Sequence, residues 1–485
     1  MPRTKLLLNG PLLVLILGLG CRPWVTETPP PRTQAVARAV VPAASEAQLL
    51  DDVERRTFGY FWELAQPENG LVPDRWPTPS FSSVAAGGFG LTALPIGVER
   101  GYVSRAEGAA RALRAVDFLL RAPQGEAAVG MTGHRGFLYH FLDMQTGERF
   151  EQVELSSIDT TLFLAGALFC QSYFDGTSPV EVELRAKVEA FYRRIDWTWL
   201  QVRPPLVSMG WHPEKGHHGW DWKGYNEAML LYVLALGSPT HPIGPEAWKA
   251  WTDTYRWDGF YGQEYIVFAQ HFGHQYSHVW LDFRGVQDEF VRAKGIDYFE
   301  NSRRATLAQR AYAIDNPRRF RGYGRNFWGL TASDGPLDGT LTIDGIRRTF
   351  HTYWARGAGA TGVLDDGTIA PTAAIASLPF APEVVLPVIR DLRERFGANL
   401  YGRYGFLDAV NLTLRQPAQL HHGQVVADIG WFDSDYLGID QGPILAMIEN
   451  HRTELVWKTM RRNPYVVAGM KRAGFRGGWL EGAAP

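Results

Sequence analysis

The chain has 485 residues, 45% of them hydrophobic and 21% charged, with a formal net charge of -2. That apolar share is enough for a sizeable core and excludes a disordered chain, while the near-neutral charge excludes a surface built for nucleic acid. Aromatic residues reach 13%, with 17 tryptophans, a surplus that suits a cleft stacking on flat apolar faces such as sugar rings.

The first 21 residues, MPRTKLLLNGPLLVLILGLGC, carry Arg3 and Lys5, an apolar run from Leu12 to Leu19, and Cys21. The pattern is that of an export signal, and the run is too short for a stable membrane span. Cys21 stands where a bacterial lipoprotein carries its acylated cysteine, although Gly18 replaces the leucine usual three residues earlier. The expectation is a periplasmic or outer-membrane-anchored lipoprotein, in contact with the membrane only through its lipid. Residues 22–44 are rich in Pro, Thr, Ala and Val and read as a tether, which leaves residues 45–485 as a single domain. Cys170 falls within an apolar helical run and reads as core.

Periodicity then predicts helices over 47–64, 82–100, 104–120, 156–174, 180–195, 227–236, 277–294, 301–314, 371–378, 383–396, 441–450 and 454–462. Apolar, Gly/Ala-rich helices such as GGFGLTALPIGV and TTLFLAGALFC are each followed by charged amphipathic ones such as SRAEGAARALRAVDFLL and EVELRAKVEAFYRRI. A buried helix paired with a surface helix, repeated about six times, describes two concentric rings. The expected fold is an all-α (α/α)6 barrel, with a cleft formed by the loops ahead of the inner helices. GTLTIDGIRRTFHTYWA, residues 339–355, predicts a hairpin on the rim.

Within this frame GYNEAMLLYVLALG, residues 224–237, places a carboxylate, Glu227, at the mouth of an otherwise apolar helix. Asn226 is a suitable N-cap, and a helix N-terminus favours any acidic residue, so a structural role alone could account for Glu227. The preceding GWDWKGY contains Trp220, Trp222 and Tyr225, more aromatic surface than a plain connection needs. VELSSIDTTLFLAGALFC repeats the arrangement, with Glu154 before the helix and Asp159 in its first turn. Three carboxylates therefore converge on one end of the barrel.

Other motifs are weaker. GAGATG, residues 357–362, matches a nucleotide-binding pattern but leads into a turn, so its glycines read as letting a loop approach a ligand. HPEKGHHGWDW lacks metal-ligand spacing, and neither a metal nor a cofactor is expected. FGHQYSHVWLDFRG offers His278, Trp280, Asp282 and Arg284 as sugar contacts, or else Asp282 and Arg284 as a bracing salt bridge. DYLGIDQGPILAMIENHRT sets Asp435 and Asp440 ahead of another apolar helix.

Four stretches, ELSSIDTTLFLAGAL, YNEAMLLYVLALGSPTHPI, FGHQYSHVWLDFRGVQDEFVRAKGIDYFENSRRAT and DDGTIAPTAAIASLPFAPE, together with the Asp440 segment, resemble the glucoamylase-like family of bacterial exported proteins, the group containing the endo-β-1,2-glucanases of glycoside hydrolase family 144. The resemblance covers residues 49–475 and implies an (α/α)6 barrel that hydrolyses β-1,2-glucan with inversion, releasing short sophorooligosaccharides. Such chemistry needs a protonated carboxyl and an ionised one about 6.5–9.5 Å apart. Glu227, Glu154 and Asp159 are the residues onto which those roles fall, with Glu227 as acid because apolar neighbours raise its pKa. Trp220, Trp222, Tyr225, His278, Trp280, Asp282, Arg284 and Asp440 are expected to bind the glucan, with the protein acting as a monomer. A glucanosyltransferase, a hydrolase of another β-glucan, and a glycan-binding lipoprotein without turnover fit the same pattern.

Overall fold

The computed structural model describes residues 45–482, so Cys21 and the export and tether segments lie outside the described residues. In chain order the helices are α1 (Glu46–Leu64), α2 (Val84–Glu99), α3 (Arg105–Arg121), α4 (Ser157–Tyr173), α5 (Pro179–Arg193), α6 (Ala228–Gly237), α7 (Glu246–Thr252), α8 (Tyr276–Trp280), α9 (Glu289–Ala293), α10 (Tyr298–Asp315), α11 (Pro371–Ile375), α12 (Pro382–Phe396), α13 (Gly438–Arg452), α14 (Leu455–Met460) and α15 (Pro464–Arg472).

Burial follows the alternation of the sequence. Nearly every residue of α2, α4, α6 and α13 is buried, whereas α3, α5 and α12 bury one stripe and expose charged residues on the other. Small residues let the buried helices touch backbone to backbone. A Cβ at Gly166 would lie 2.0 Å from the carbonyl oxygen of Gly88, and one at Gly88 would lie 2.2 Å from that of Leu162. On its other side α2 meets α13, which α1 covers, so the start of the domain packs on the end of its apolar series. The result is a helical barrel.

Three sequence expectations are corrected. Residues 277–294 do not form one helix: α8 stops at Trp280, because Asp282 Oδ1 accepts the backbone N–H of Arg284 at 3.0 Å and Gly285 turns the chain at φ +69°. The glycines of GAGATG form a hairpin, Gly357–Gly359 with Gly362–Leu364. Gly357 makes room for protein backbone, a Cβ there lying 2.5 Å from the carbonyl carbon of Ala269. Helices α7 and α15 were not anticipated; α15 packs its Gly469 against the carbonyl of Val233 in α6. The rim hairpin pairs Gly339–Ile343 with Ile346–Phe350, and Cys170 is fully buried.

Candidate active site

Short antiparallel pairings tie the helix mouths together. Ser82–Ser83, just before α2, pairs with Phe141–Leu142; Leu155–Ser156, just before α4, pairs with both Phe137–Tyr139 and Gly210–His212; and Tyr436–Leu437, just before α13, pairs with Arg75–Trp76. Register then decides which side chains meet. Because Tyr139 opposes Leu155, His140 falls beside Glu154, whose carbonyl accepts its N–H at 2.9 Å. The His140 ring lies between two acids, with Nδ1 2.8 Å from Glu154 Oε1 and Nε2 3.5 Å from Asp159 Oδ1.

This trio has a definite charge state. Burial disfavours an imidazolium, but Asp159 and Glu154 outweigh it and lift His140 to about 9. Burial would likewise raise Glu154, yet the charge and hydrogen bond of His140 bring it down to about 2, so it is ionised at neutral pH. Asp159 goes the other way: burial outweighs His140 and the hydroxyl of Ser156, and its pKa is raised. The result is a charged His140–Glu154 pair beside an Asp159 held above the usual carboxylate range.

Glu227 differs from all of them. The first free amide of α6, that of Ala228, is satisfied by Asn226 Oδ1 at 3.0 Å, and the amide of Leu230 by Ser277 Oγ at 3.1 Å. The Glu227 side chain makes no cap, and its Oε2 is buried without a hydrogen-bond partner. Burial chiefly, with a contribution from the Asp159 charge and against its own backbone N–H, pushes its pKa up to about 7. It is therefore a buried carboxyl that keeps its proton up to near neutrality, a property that general-acid chemistry requires.

A second group of acids gathers at the mouth of α13. Asp440 is joined there by Asp74, Asp334, Asp408, Asp433 and Asp435, all buried, with Arg75 bonded to Asp334 at 2.7 Å. Burial and mutual repulsion raise Asp433 and Asp440 well above the usual carboxylate range and Asp408 to about 6.

The Glycoamylase family model, described as "Putative glucoamylase", matches residues 219–464, half of the chain. A crystal structure of the same description from Bacteroides uniformis ATCC 8492 is 32% identical, with 90% of this chain and 99% of that one covered at a TM-score of 0.76. The chain belongs to the glucoamylase-like family. An endo-β-1,2-glucanase from Chitinophaga pinensis, solved with sophorotriose and glucose, is 29% identical, with coverage of 90% and 100% and a TM-score of 0.76. An exo β-1,2-glucooligosaccharide sophorohydrolase from Parabacteroides distasonis is 29% identical over 479 residues. The match covers 91% of this chain but 59% of that relative's length.

In this glucoamylase-like chain several expected glucan contacts prove to be packing residues. Trp222 is buried and its Nε1 donates to Ser157 Oγ at 2.8 Å, bracing the start of α4. Tyr225 is buried among Tyr255, His274 and Tyr298. His278 shares a 2.9 Å hydrogen bond with Ser302, and Trp280 donates to Thr92 at 2.9 Å while stacking on Phe89, both fully enclosed. Asp282 and Arg284 form the bracing ion pair at 2.8 Å, extended to Arg461 and Glu454. These partners lie past the C-terminal end of α13, at the far end of the barrel from Glu227. Trp220 alone of the aromatic loop is open, 55% exposed, and its carbonyl accepts from Met209 at 3.1 Å, next to the mouth of α4.

The far end also carries a cavity of about 430 Å³ lined by Glu99, Arg100, Glu449 and Lys458. Its charges are largely engaged in structural pairs such as Arg100–Glu449 at 2.6 Å, and it shares no residue with the Glu227 group. His140 and four of the mouth aspartates (Asp74, Asp334, Asp408 and Asp433) were missed by sequence reasoning. His140 had a signal in the pairing of FLYHF with VELS; the aspartates sit on separate loops with none.

Proposed function

We propose that this chain is an endo-acting glycoside hydrolase that cleaves β-1,2-glucan to short sophorooligosaccharides with inversion. Glu227 protonates the leaving oxygen, and Glu154 or Asp159 activates the attacking water. The observation that carries this reading is the buried, uncapping Glu227 with its pKa near 7, raised in part by the charge of Asp159, which shares His140 with a Glu154 held ionised. Two carboxyls whose surroundings drive their protonation apart are what an inverting glycosidase requires. The β-1,2-glucan activity of the C. pinensis and P. distasonis relatives supports the substrate class.

The reading includes a complete (α/α)6 toroid, with α2, α4, α6, α8, α11 and α13 inside and α3, α5, α7, α10, α12 and α1 outside. It also includes export as a lipoprotein anchored through Cys21, resting on residues 1–21 alone. Trp220 provides a stacking face, and Asp440 contacts glucan hydroxyls. A second reading, exo release of sophorose, is favoured by the activity of the P. distasonis relative.

Incubation with linear β-1,2-glucan tests the catalytic part of this reading. The wild-type protein should generate reducing ends as a ladder of oligosaccharides, and Glu227→Gln should bind glucan yet release none. Sophorose alone from the earliest time point would replace the endo reading by the exo one. Near-normal turnover in Glu227→Gln would remove Glu227 from the acid role.

A further inference from the structure

The aspartates at the mouth of α13 contain a subset whose geometry goes beyond sugar recognition. Asp334, Asp408 and Asp433 each present one carboxylate oxygen such that all three oxygens lie within 4.8 Å of one another. Each side chain is about 2% exposed. Their other contacts are already assigned. Asp408 Oδ2 accepts the backbone N–H of Asp334 at 2.7 Å, and Asp433 Oδ1 accepts that of Ser434 at 2.7 Å. That leaves Asp433 Oδ2 buried with no hydrogen-bond partner and Asp408 Oδ1 with no donor from outside the acid cluster, the carboxyl of Asp440 being the group that meets Asp408.

The positions are held from behind, since the N–H of Asp433 donates to Ala409 O and that of Asp408 to Asp435 O, both at 2.9 Å. The oxygens therefore cannot relax apart without breaking backbone bonds. The cation in contact is Arg75, 2.7 Å from Asp334 Oδ2 and 3.6 Å from Asp435 Oδ2. Three carboxyls with one guanidinium in contact cannot all ionise without leaving two negative charges unmatched, and fixed oxygens with no donor are costly in a buried site.

We infer that Asp334, Asp408 and Asp433 bind one hard divalent cation, Ca²⁺, which clamps three loops at the barrel mouth. The donor set is all carboxylate oxygen, the chemistry of Ca²⁺ and Mg²⁺ and not of softer metals. Oxygens sharing one Ca²⁺ at about 2.3–2.6 Å lie up to about 5 Å apart, which the observed span meets. Ca²⁺ is preferred over Mg²⁺ because aspartates from three separate loops need not supply a near-ideal octahedron.

The test uses the full chain, stripped with chelator and dialysed into metal-free buffer, and titrated with CaCl2 or MgCl2 by calorimetry and thermal melting. One Ca²⁺ should bind per chain, and at a concentration about 100-fold above Kd the melting temperature should rise by about 2–5 °C. Asp433→Asn should weaken binding at least about tenfold, with Asp408→Asn as the replacement if the first variant does not fold. Glu227→Gln should keep the full Ca²⁺ response, which separates this site from the proposed acid. Stoichiometric Mg²⁺ uptake with no response to Ca²⁺ would overturn the choice of ion. A folded wild-type chain that takes up neither ion at millimolar concentration would overturn the site.

Discussion

Replacing Glu227 with glutamine should change stability as well as turnover, and in a pH-dependent way. Lifting this carboxyl from its ordinary 4.5 to about 7 disfavours its ionised form in the folded state by roughly 3 kcal/mol, at about 1.4 kcal/mol per tenfold. Because the folded-state pKa is the higher one, its contribution is fully present below pH 4.5 and is lost as pH rises through about 7. Glutamine keeps the shape and hydrogen bonding but does not ionise. In urea unfolding followed by circular dichroism, the stability of Glu227→Gln relative to wild type should therefore improve by roughly 2–3 kcal/mol between pH 4.5 and pH 8.5. A relative stability that does not change with pH, or that worsens at pH 8.5, would refute the claim that burial holds a proton on Glu227.

Further outcomes follow from the structure and, for Cys21, from the sequence. Loss of the His140 ring in His140→Ala removes the charge that holds Glu154 near 2 and that also lowers Asp159, so the acidic limb of the kcat/KM profile should move upward; an unmoved limb would remove both from the role of base. Trp222→Ala should cost about 3–5 kcal/mol of stability, as for truncation of a buried tryptophan, while Trp220→Ala should leave the melting temperature nearly unchanged and raise KM. In Gly166→Ala the new methyl meets the carbonyl of Gly88, and calorimetry should show a loss of about 1–3 kcal/mol as α2 and α4 are pushed apart. Cys21→Ser should move the protein from the membrane fraction to the soluble one; unchanged fractionation would mean that Cys21 carries no anchor.

The helices were legible wherever one property ran over many residues. The alternation of Gly/Ala-rich and charged segments located α2 to α5 to within a few residues, since burial on every side and burial on one stripe leave different periodicities. It failed at α8, where His278, Val279 and Trp280 read as the start of a long helix but the Asp282–Arg284 pair turns the chain after five residues. The positions of Glu227 and Asp159 at helix mouths, with Glu154 just ahead of α4, were legible because each stands out against apolar sequence. Trp222, Tyr225, His278 and Trp280 are buried where a cleft position was expected, because an aromatic or imidazole ring with a polar atom suits a sugar cleft and a hydrogen-bonded core equally well. Asp334, Asp408 and Asp433 are spread over a hundred residues, and only the paired loops at the barrel mouth bring them within 4.8 Å.

The most direct test of the proposed function is proton NMR of linear β-1,2-glucan during the first minutes of incubation with the purified wild-type chain. The account predicts new reducing ends that appear first as the α-anomer and then mutarotate, with no such signal from β-1,3- or β-1,4-glucan. Initial release of the β-anomer would contradict inversion by Glu227 with Glu154 or Asp159, and the absence of any new reducing end would contradict the assignment as a β-1,2-glucan hydrolase.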